Sequence, residues 1–218
     1  MSLLITAGPT HEPIDAVRYI ANRSSGRMGM ALAQAAAERG LRATLLLGPT
    51  ALEPTHHPHV TLRRFQTSAE LRLLLLELWP AHQALFMAAA VADYLPARTE
   101  GPAAKRQRSA AKWTLELEPA PDLLAEAAAS ARPDQVTIGF ALEPRERLLE
   151  SAKRKLAQRR VHAIVANPLE TIGSDRIRAT LLLRDGRALA PPQGECTKLE
   201  FARWLLDELF LLGVLASR

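Results

Sequence analysis

The run Asn22-Arg23-Ser24-Ser25-Gly26-Arg27-Met28-Gly29 concentrates an amide, two hydroxyls, two cations and two glycines within one short stretch. Upstream, an apolar strand candidate, Leu3–Ala7, ends at Gly8-Pro9-Thr10. Downstream, an alanine-rich helix candidate spans about 25–39, with Gly40 where a left-handed C-cap falls. A strand, a polar glycine-bearing loop and a helix start together make an anion site. Free backbone N–H groups and the positive end of the helix dipole face whatever sits there. Gly26 and Gly29 let a ligand approach the backbone, and Arg27 adds charge. Phosphate or nucleotide binding is the chemistry this patch serves. Its spacing is neither the dinucleotide fingerprint GxGxxG nor the P-loop GxxxxGK[ST]. A plain helix start, with a serine cap and a glycine for close helix–strand packing, is the competing reading.

Five further patches carry groups of the same kind. Asp93 closes Met87-Ala88-Ala89-Ala90-Val91-Ala92-Asp93, a strand end whose small residues leave room for a ligand and whose carboxylate can accept from one or help hold a metal. Lys105 belongs to the basic cluster Lys105-Arg106-Gln107-Arg108. Pro121-Asp122-Leu123-Leu124 reads as a helix start. Gly139-Phe140-Ala141-Leu142-Glu143 ends another strand, where a phenylalanine can flank a flat base. Lys155 and Arg159 lie one helical turn apart and lead into Ile164-Val165-Ala166-Asn167. Taken singly, each has a plainer explanation: Asp93 capping a turn, Phe140 in the core, residues 153–160 as a solvated face.

The elements that must position these groups alternate. Strand candidates are Leu3–Ala7, Ala43–Leu47, Val60–Phe65, Ala84–Ala89, Val136–Leu142 and Ala163–Ala166; helix candidates span 25–39, 68–79, 122–131 and 145–160. Several strands are unbroken apolar runs, as strands buried on both faces are. This order predicts one α/β domain over 1–218: a doubly wound, Rossmann-like, largely parallel sheet with helices on both faces and a small hairpin and flap extension. Ligands in such a sheet sit at the carboxyl ends of the strands, where most of the patches fall. Residues 92–112, with Pro96, Gly101, Pro102 and the basic cluster, read as a mobile flap. Residues 177–190 read as a hairpin turning at Asp185-Gly186, and Lys198–Leu215 as a helix packed on the sheet.

Bulk properties bound the function. The chain has 218 residues, 48% of them hydrophobic, and no segment approaches the ~20 uncharged apolar residues of a membrane span. A cytoplasmic globular protein is expected. Cys196 is the one cysteine, which excludes an internal disulfide framework, and an ordinary loop side chain is expected there. The net charge of +5 comes mainly from 23 arginines. It suits acidic small molecules; aromatics at 5% and no interleaved basic–aromatic stretch argue against a nucleic-acid surface. Asparagine occurs twice, as Asn22 and Asn167, in a chain that otherwise avoids it.

Taken together and in order, the segments ITAGPTHEPIDAVRYIANRSSGRMG (5–29), AAAVADY (88–94), PDLL (121–124), GFALE (139–143), the Lys155-Leu156 pair with Ile164–Asn167, and Ser174-Asp175 resemble the phosphopantothenoylcysteine synthetase family of coenzyme A biosynthesis, in its bacterial type. The resemblance covers nearly the whole chain and includes no decarboxylase half. It implies coupling of 4′-phosphopantothenate to L-cysteine with CTP and Mg²⁺. The substrate carboxylate attacks the α-phosphate, pyrophosphate leaves, and the amine of cysteine then displaces CMP from the acyl cytidylate. By the resemblance Asn22, Ala89, Ala90 and Asp93 hold phosphopantothenate, with Asn22 at the reacting acyl group. Ser24, Gly26 and Gly29 form part of the phosphate cradle. Asp93, Lys105, Pro121, Asp122, Leu123, Leu124, Phe140, Lys155, Arg159 and Asn167 surround the nucleotide, with Lys105 and Asn22 catalytic and the metal carried mainly on the nucleotide phosphates. A homodimer and a separate decarboxylase partner are also implied. A flap carrying Lys105 is expected to exclude water from the acyl cytidylate.

The chain departs from the family pattern in places. Pro9 replaces a common second glycine, Pro119-Ala120 a Lys-Asn pair, Arg159 a lysine, His162 an aspartate, and Arg106-Gln107-Arg108 a lysine-rich run. Loss of the Lys-Asn pair keeps ATP open as the alternative nucleotide. A different class, an NAD(P)-dependent oxidoreductase, needs GxGxxG and an acid at the end of the second strand; that strand instead ends Leu45-Leu46-Leu47-Gly48-Pro49. The chain also has no Tyr-xxx-Lys pair.

Overall fold

The computed structural model describes residues 1–97, 105 and 111–215. Strand β1 (Ser2–Ala7) is followed by a short antiparallel hairpin, β2 (His11–Pro13) against β3 (Tyr19–Ala21), and then by α1 (Arg27–Glu38), β4 (Arg42–Leu47) and β5 (Val60–Arg64). Helix α2 (Ser68–Leu78) leads into β6 (Ala84–Met87), and β7 (Tyr94–Pro96) pairs antiparallel with β8 (Leu117–Pro119). Next come α3 (Leu123–Ala129), β9 (Val136–Glu143), α4 (Leu148–Arg159) and β10 (Ala163–Pro168). After β11 (Arg176–Ile177), the strands β12 (Thr180–Leu183) and β13 (Ala188–Leu189) form the expected hairpin; β14 (Cys196–Thr197) returns to β11, and α5 (Lys198–Leu211) follows.

Eight strands make one sheet in the order β13-β12-β10-β9-β6-β1-β4-β5. From β10 to β5 neighbours run parallel, and β12 and β13 extend the β10 edge antiparallel. The apolar runs are continuous because both faces are covered. Leu3, Ile5 and Ala7 of β1 pack into one core with Ala35 and Ala36 of α1 and Phe201, Leu205 and Leu209 of α5. Leu4, with Leu46 and Leu85, packs into the other with Leu71 of α2, Leu124 of α3 and Ala152 of α4. The doubly wound expectation holds, with α1 and α5 on one face and α2, α3 and α4 on the other. Leu215 lies past α5, which ends at Leu211, with Gly213 in the left-handed region at φ +67°.

The chain runs from β1 outward to β5, then returns to the other side of β1 as β6 and continues to β10. The carboxyl ends of β1 and β6 therefore flank a topological switch point, where the loops diverge and leave a crevice. Three local expectations change. Strand β6 stops at Met87, short of Ala89, because the next N–H groups turn to Thr6, Gly8 and Thr10. The connection from β1 to α1 contains the β2–β3 hairpin. Cys196 sits buried in β14, so it is a strand residue and no loop side chain. The stretch read as a flap, 92–112, contains β7 and ends before β8; residues 98–104 and 106–110, with most of the basic cluster, lie outside the described residues.

Gly29 marks where α1 crosses β1. A Cβ there would stand 2.4 Å from the Cβ of Ala7 and 2.9 Å from the carbonyl oxygen of Thr6. Helix propensity alone favours alanine by about 1 kcal/mol; overpacking opposes it by about 1–3 kcal/mol or more. We expect the clash to dominate, so that Gly29→Ala lowers the melting temperature by several degrees in scanning calorimetry. A melting point equal to or above that of the unsubstituted protein would show that the crossing is looser than described.

Candidate anion cleft at the switch point

A cleft of about 710 Å³ opens at the carboxyl end of the sheet. Its walls come from the loop Asn22–Met28 after β1, from Met87–Asp93 after β6, from Ala120–Leu124 at the start of α3, and from Phe140, Lys155, Arg159 and Asn167. The floor is held by hydroxyls. Thr6, fully buried, accepts through Oγ1 from the backbone N–H of Ala89 at 3.0 Å, and Thr10 likewise from Ala92 at 3.1 Å. The N–H of Ala90 donates to Gly8 at 2.9 Å, and that of Thr10 donates back to Ala90 at 3.3 Å. Small side chains and this stitching lay residues 88–92 flat along the cleft.

The same opening segment organises its surroundings. Glu12, buried, accepts at 2.9 Å from the N–H of Ser68, the first residue of α2, so a carboxylate meets a helix N-terminus. Asp15 accepts from the N–H groups of Val17 and Arg18 and shapes the turn before β3. These residues belong to the motif read from sequence, yet they build the site without lining it. Their signal was the motif itself; nothing in their spacing named the job.

Asn22 donates from its side-chain amide to the carbonyl of Val91 at 2.9 Å, tying the β1 loop to the β6 loop and leaving its other N–H and its oxygen for a ligand. Gly26 caps α1 in the left-handed region at φ +73°, which a side chain would strain, and its N–H donates to Oγ of Ser24 at 3.4 Å. No side chain caps α1, and its first turn holds no acid. Ser24 and Gly26 line the cleft beside the start of α1. Gly29 is a correction: it is buried against Ala7 for close helix–strand packing and is not on the cleft wall.

On the opposite face, each cation has a carboxylate. Arg159 donates from Nε to Asp122 at 2.6 Å, while the other oxygen of Asp122 caps α3 by accepting from the N–H of Ala125 at 3.1 Å. Lys155 donates to Glu143 at 2.8 Å, and the hydroxyl of Ser151 donates to the same oxygen at 2.9 Å. The Lys155 hydrogen bond holds the Glu143 carboxyl below its ordinary pKa against the opposing effect of burial. Leu123 and Leu124 are buried on this wall, while half-buried Phe140 lines the cleft from the α1–α5 side of the sheet. Asn167 lines the cleft and donates to Oγ1 of Thr171 at 2.8 Å. Asp93 lies exposed on the wall, with its own carbonyl accepting from the N–H of Ala120 at 2.9 Å.

Lys105 is the second correction: it is exposed and stands off the cleft wall. His162, one of the departures, lies at the far end of β10 near Thr137, where burial and then Arg184 lower its pKa. Residues 171–173, Ile177 and Lys198 complete the cleft and were not singled out from sequence. The signal for Lys198 was present, since a lysine follows the capping threonine at a helix start, where a cation opposes the dipole. Among the described residues no group of three or more His, Cys, Asp or Glu side chains could hold a metal by itself, and no helix is long and apolar enough to cross a membrane.

Fold and cleft define a doubly wound α/β domain with a crevice, lined by several cations, at its switch point. The chain belongs to the family described as the DNA/pantothenate metabolism flavoprotein C-terminal domain, which matches residues 1–212. It is 34% identical over 218 residues to the coenzyme A biosynthesis bifunctional protein CoaBC of Bacillus subtilis (strain 168), covering 97% of this chain and 51% of that protein. It is 37% identical over 195 residues to the protein of the same name from Vibrio cholerae serotype O1, covering 87% and 48%. A crystal structure of the C-terminal domain of CoaBC superposes with a TM-score of 0.79 at 32% identity, covering 98% of this chain and 95% of that one. The chain thus spans about half the length of the curated relatives it matches.

A carboxyl with a depressed pKa stabilises the fold while ionised, above its unfolded value of about 4.3, and that contribution is lost as pH falls through the lower folded value. We therefore expect Glu143→Gln to be less stable than the unsubstituted chain at neutral pH in urea melts. The gap should close as the pH drops below the ordinary glutamate range. A gap independent of pH would place the effect in packing instead of the Lys155 contact.

Proposed function

We propose that this domain joins 4′-phosphopantothenate to L-cysteine at the expense of CTP. One observation carries the reading: the amide of Asn22, the flat strip Ala89–Asp93, the α1 start at Ser24–Gly26 and the cations Lys155 and Arg159 share a single cleft. Membership of the family and the half-length likeness to CoaBC support the same assignment.

The carboxylate of phosphopantothenate attacks the α-phosphorus, and the bond to the β-phosphate oxygen breaks with its electron pair leaving on pyrophosphate. The amine of cysteine then attacks the acyl carbon, CMP departs, and the amine gives up a proton to solvent. The first step depends mainly on bringing two anions together in line, and the second on holding the amine against the acyl carbon. Asn22, tied to Val91, orients the acyl group over the strip. Lys155 and Arg159 draw in the nucleotide, with Leu123 and Leu124 against its base, Phe140 across the sheet edge from them, and Pro121, Asp122 and Asn167 beside it. The backbone donors after Ser24 receive phosphate oxygens. Asp93, exposed on the cleft wall, would hold a cation carried on those phosphates, and a single carboxylate fits an ion that keeps phosphates and water as its other ligands. When bound, Mg²⁺ would supply charge neutralisation for the phosphates. A homodimer and a partner decarboxylase belong to this same reading, supported by the resemblance and by the bifunctional relatives.

Mixing the protein with CTP, Mg²⁺ and phosphopantothenate should release pyrophosphate, and adding cysteine should release CMP in equal amount. Running the same assay with ATP settles the nucleotide. Arg159→Ala, by removing a charged contact of ~1.5–3 kcal/mol, should raise the apparent KM for CTP by roughly tenfold or more with kcat less affected. Pyrophosphate release absent with both nucleotides would end the ligase reading.

A further inference from the structure

We propose that Lys198, together with Arg27, forms a subsite of the cleft for the two terminal phosphates of the nucleotide, the pair that departs as pyrophosphate. The inference rests on the ligase reading and extends it to residues that reading does not use.

Both side chains stand where helix electrostatics disfavour them. Arg27 is the first residue of α1 and Lys198 the first of α5, so each cation sits at the positive end of a helix dipole. The usual remedy, an acid in the first turn, is missing from α1. In α5 it is already committed: Glu200 accepts from the N–H and the hydroxyl of Thr197, both at 2.8 Å, in a capping box. Among the described residues neither Arg27 nor Lys198 has a carboxylate within ion-pair distance; the Lys198 ammonium donates to the carbonyl of Thr171 at 3.3 Å. Burial, and then the charge of Arg27, hold the Lys198 pKa below its ordinary value, with Asp175 opposing. A polyanion in the cleft would offset both helix dipoles and the repulsion between Arg27 and Lys198 at once.

The root of Lys198 is fixed by the backbone. Its N–H donates to the carbonyl of Asp175 at 2.8 Å, and Thr197 pairs with Arg176 in the β11–β14 bridge. The carbonyl that seats the lysine belongs to the Ser174-Asp175 pair picked out in the sequence.

Position decides which anion. Lys155 and Arg159 rise from the α3–α4 face and are each balanced by a carboxylate. Arg27 and Lys198 rise from the α1–α5 face and are not. A nucleotide with its base on the α3–α4 side, beside Leu123 and Leu124, crosses the sheet edge with its α-phosphate near the α1 start, and its terminal phosphates then meet the unbalanced pair. When the bond from the α-phosphorus to the bridging oxygen breaks, the electron pair stays on that oxygen, and the added charge on pyrophosphate develops beside Lys198 and Arg27.

Calorimetric titration of the full chain with CTP and with CMP, in Mg²⁺, tests this. Lys198→Met should weaken CTP by roughly tenfold or more and leave CMP within about twofold, while Lys198→Arg keeps most of the CTP affinity. Inorganic pyrophosphate should inhibit the Lys198→Met protein correspondingly less. An unchanged ratio of CTP to CMP affinity, in a variant whose melting curve and circular dichroism match the parent, would overturn the subsite and leave the ligase reading intact. So would a loss confined to phosphopantothenate binding. If the parent prefers ATP, the ratio of ATP to AMP is the readout. A parent that binds neither nucleotide overturns both.

Discussion

The site depends on one backbone arrangement, the laying of residues 88–92 alongside residues 6–10. Two buried threonine hydroxyls and two main-chain bonds accomplish it. A strand that continued past Met87 would direct its N–H groups to its sheet neighbours and close the crevice. Diverting those groups to Thr6, Gly8 and Thr10 instead ends the ladder without leaving donors orphaned. Among the described residues no buried side-chain nitrogen or oxygen lacks a partner. The alanines matter for the same reason: a larger side chain at 88–90 would fill the space that the diversion creates.

Charge is distributed over the cleft in two styles. On the α3–α4 side, Asp122 and Glu143 hold Arg159 and Lys155 in fixed orientations, so a ligand meets preset donors at moderate net charge. On the α1–α5 side, two helix starts and two cations face inward with the nearby acid tied up elsewhere. The first arrangement favours orientation and the second favours capture of negative charge. A substrate with a base at one end and a phosphate chain at the other matches that gradient.

Much of this was legible in the residues alone. The alternation of apolar runs and amphipathic stretches gave the doubly wound sheet, because parallel strands covered on both faces cannot be written any other way. The crevice followed from topology, and most of the residues expected in it line it. Other features were hidden for physical reasons. Apolar runs do not announce where a strand stops, so β6 was read two residues long. Glycine spacing does not distinguish room for a ligand from room for a neighbouring strand, and Gly29 turned out to serve Ala7. Pairings as brief as β2–β3 and β11–β14 carry too few residues for any periodicity.

Lys198 shows why local reading stops short. Beside its immediate neighbours it is an ordinary lysine after a capping threonine. Its significance arises only when α5 packs on α1 and brings a second helix start to the same crevice. A charge that opposes its own helix dipole is a local conflict between sequence and structure, and such conflicts concentrate where binding supplies the missing counter-charge. Arg27 presents the same conflict at the other helix. Two such conflicts in separate elements, converging on one cavity, are more informative than either motif alone, because packing has no reason to bring two unbalanced cations together unless something between them is negative.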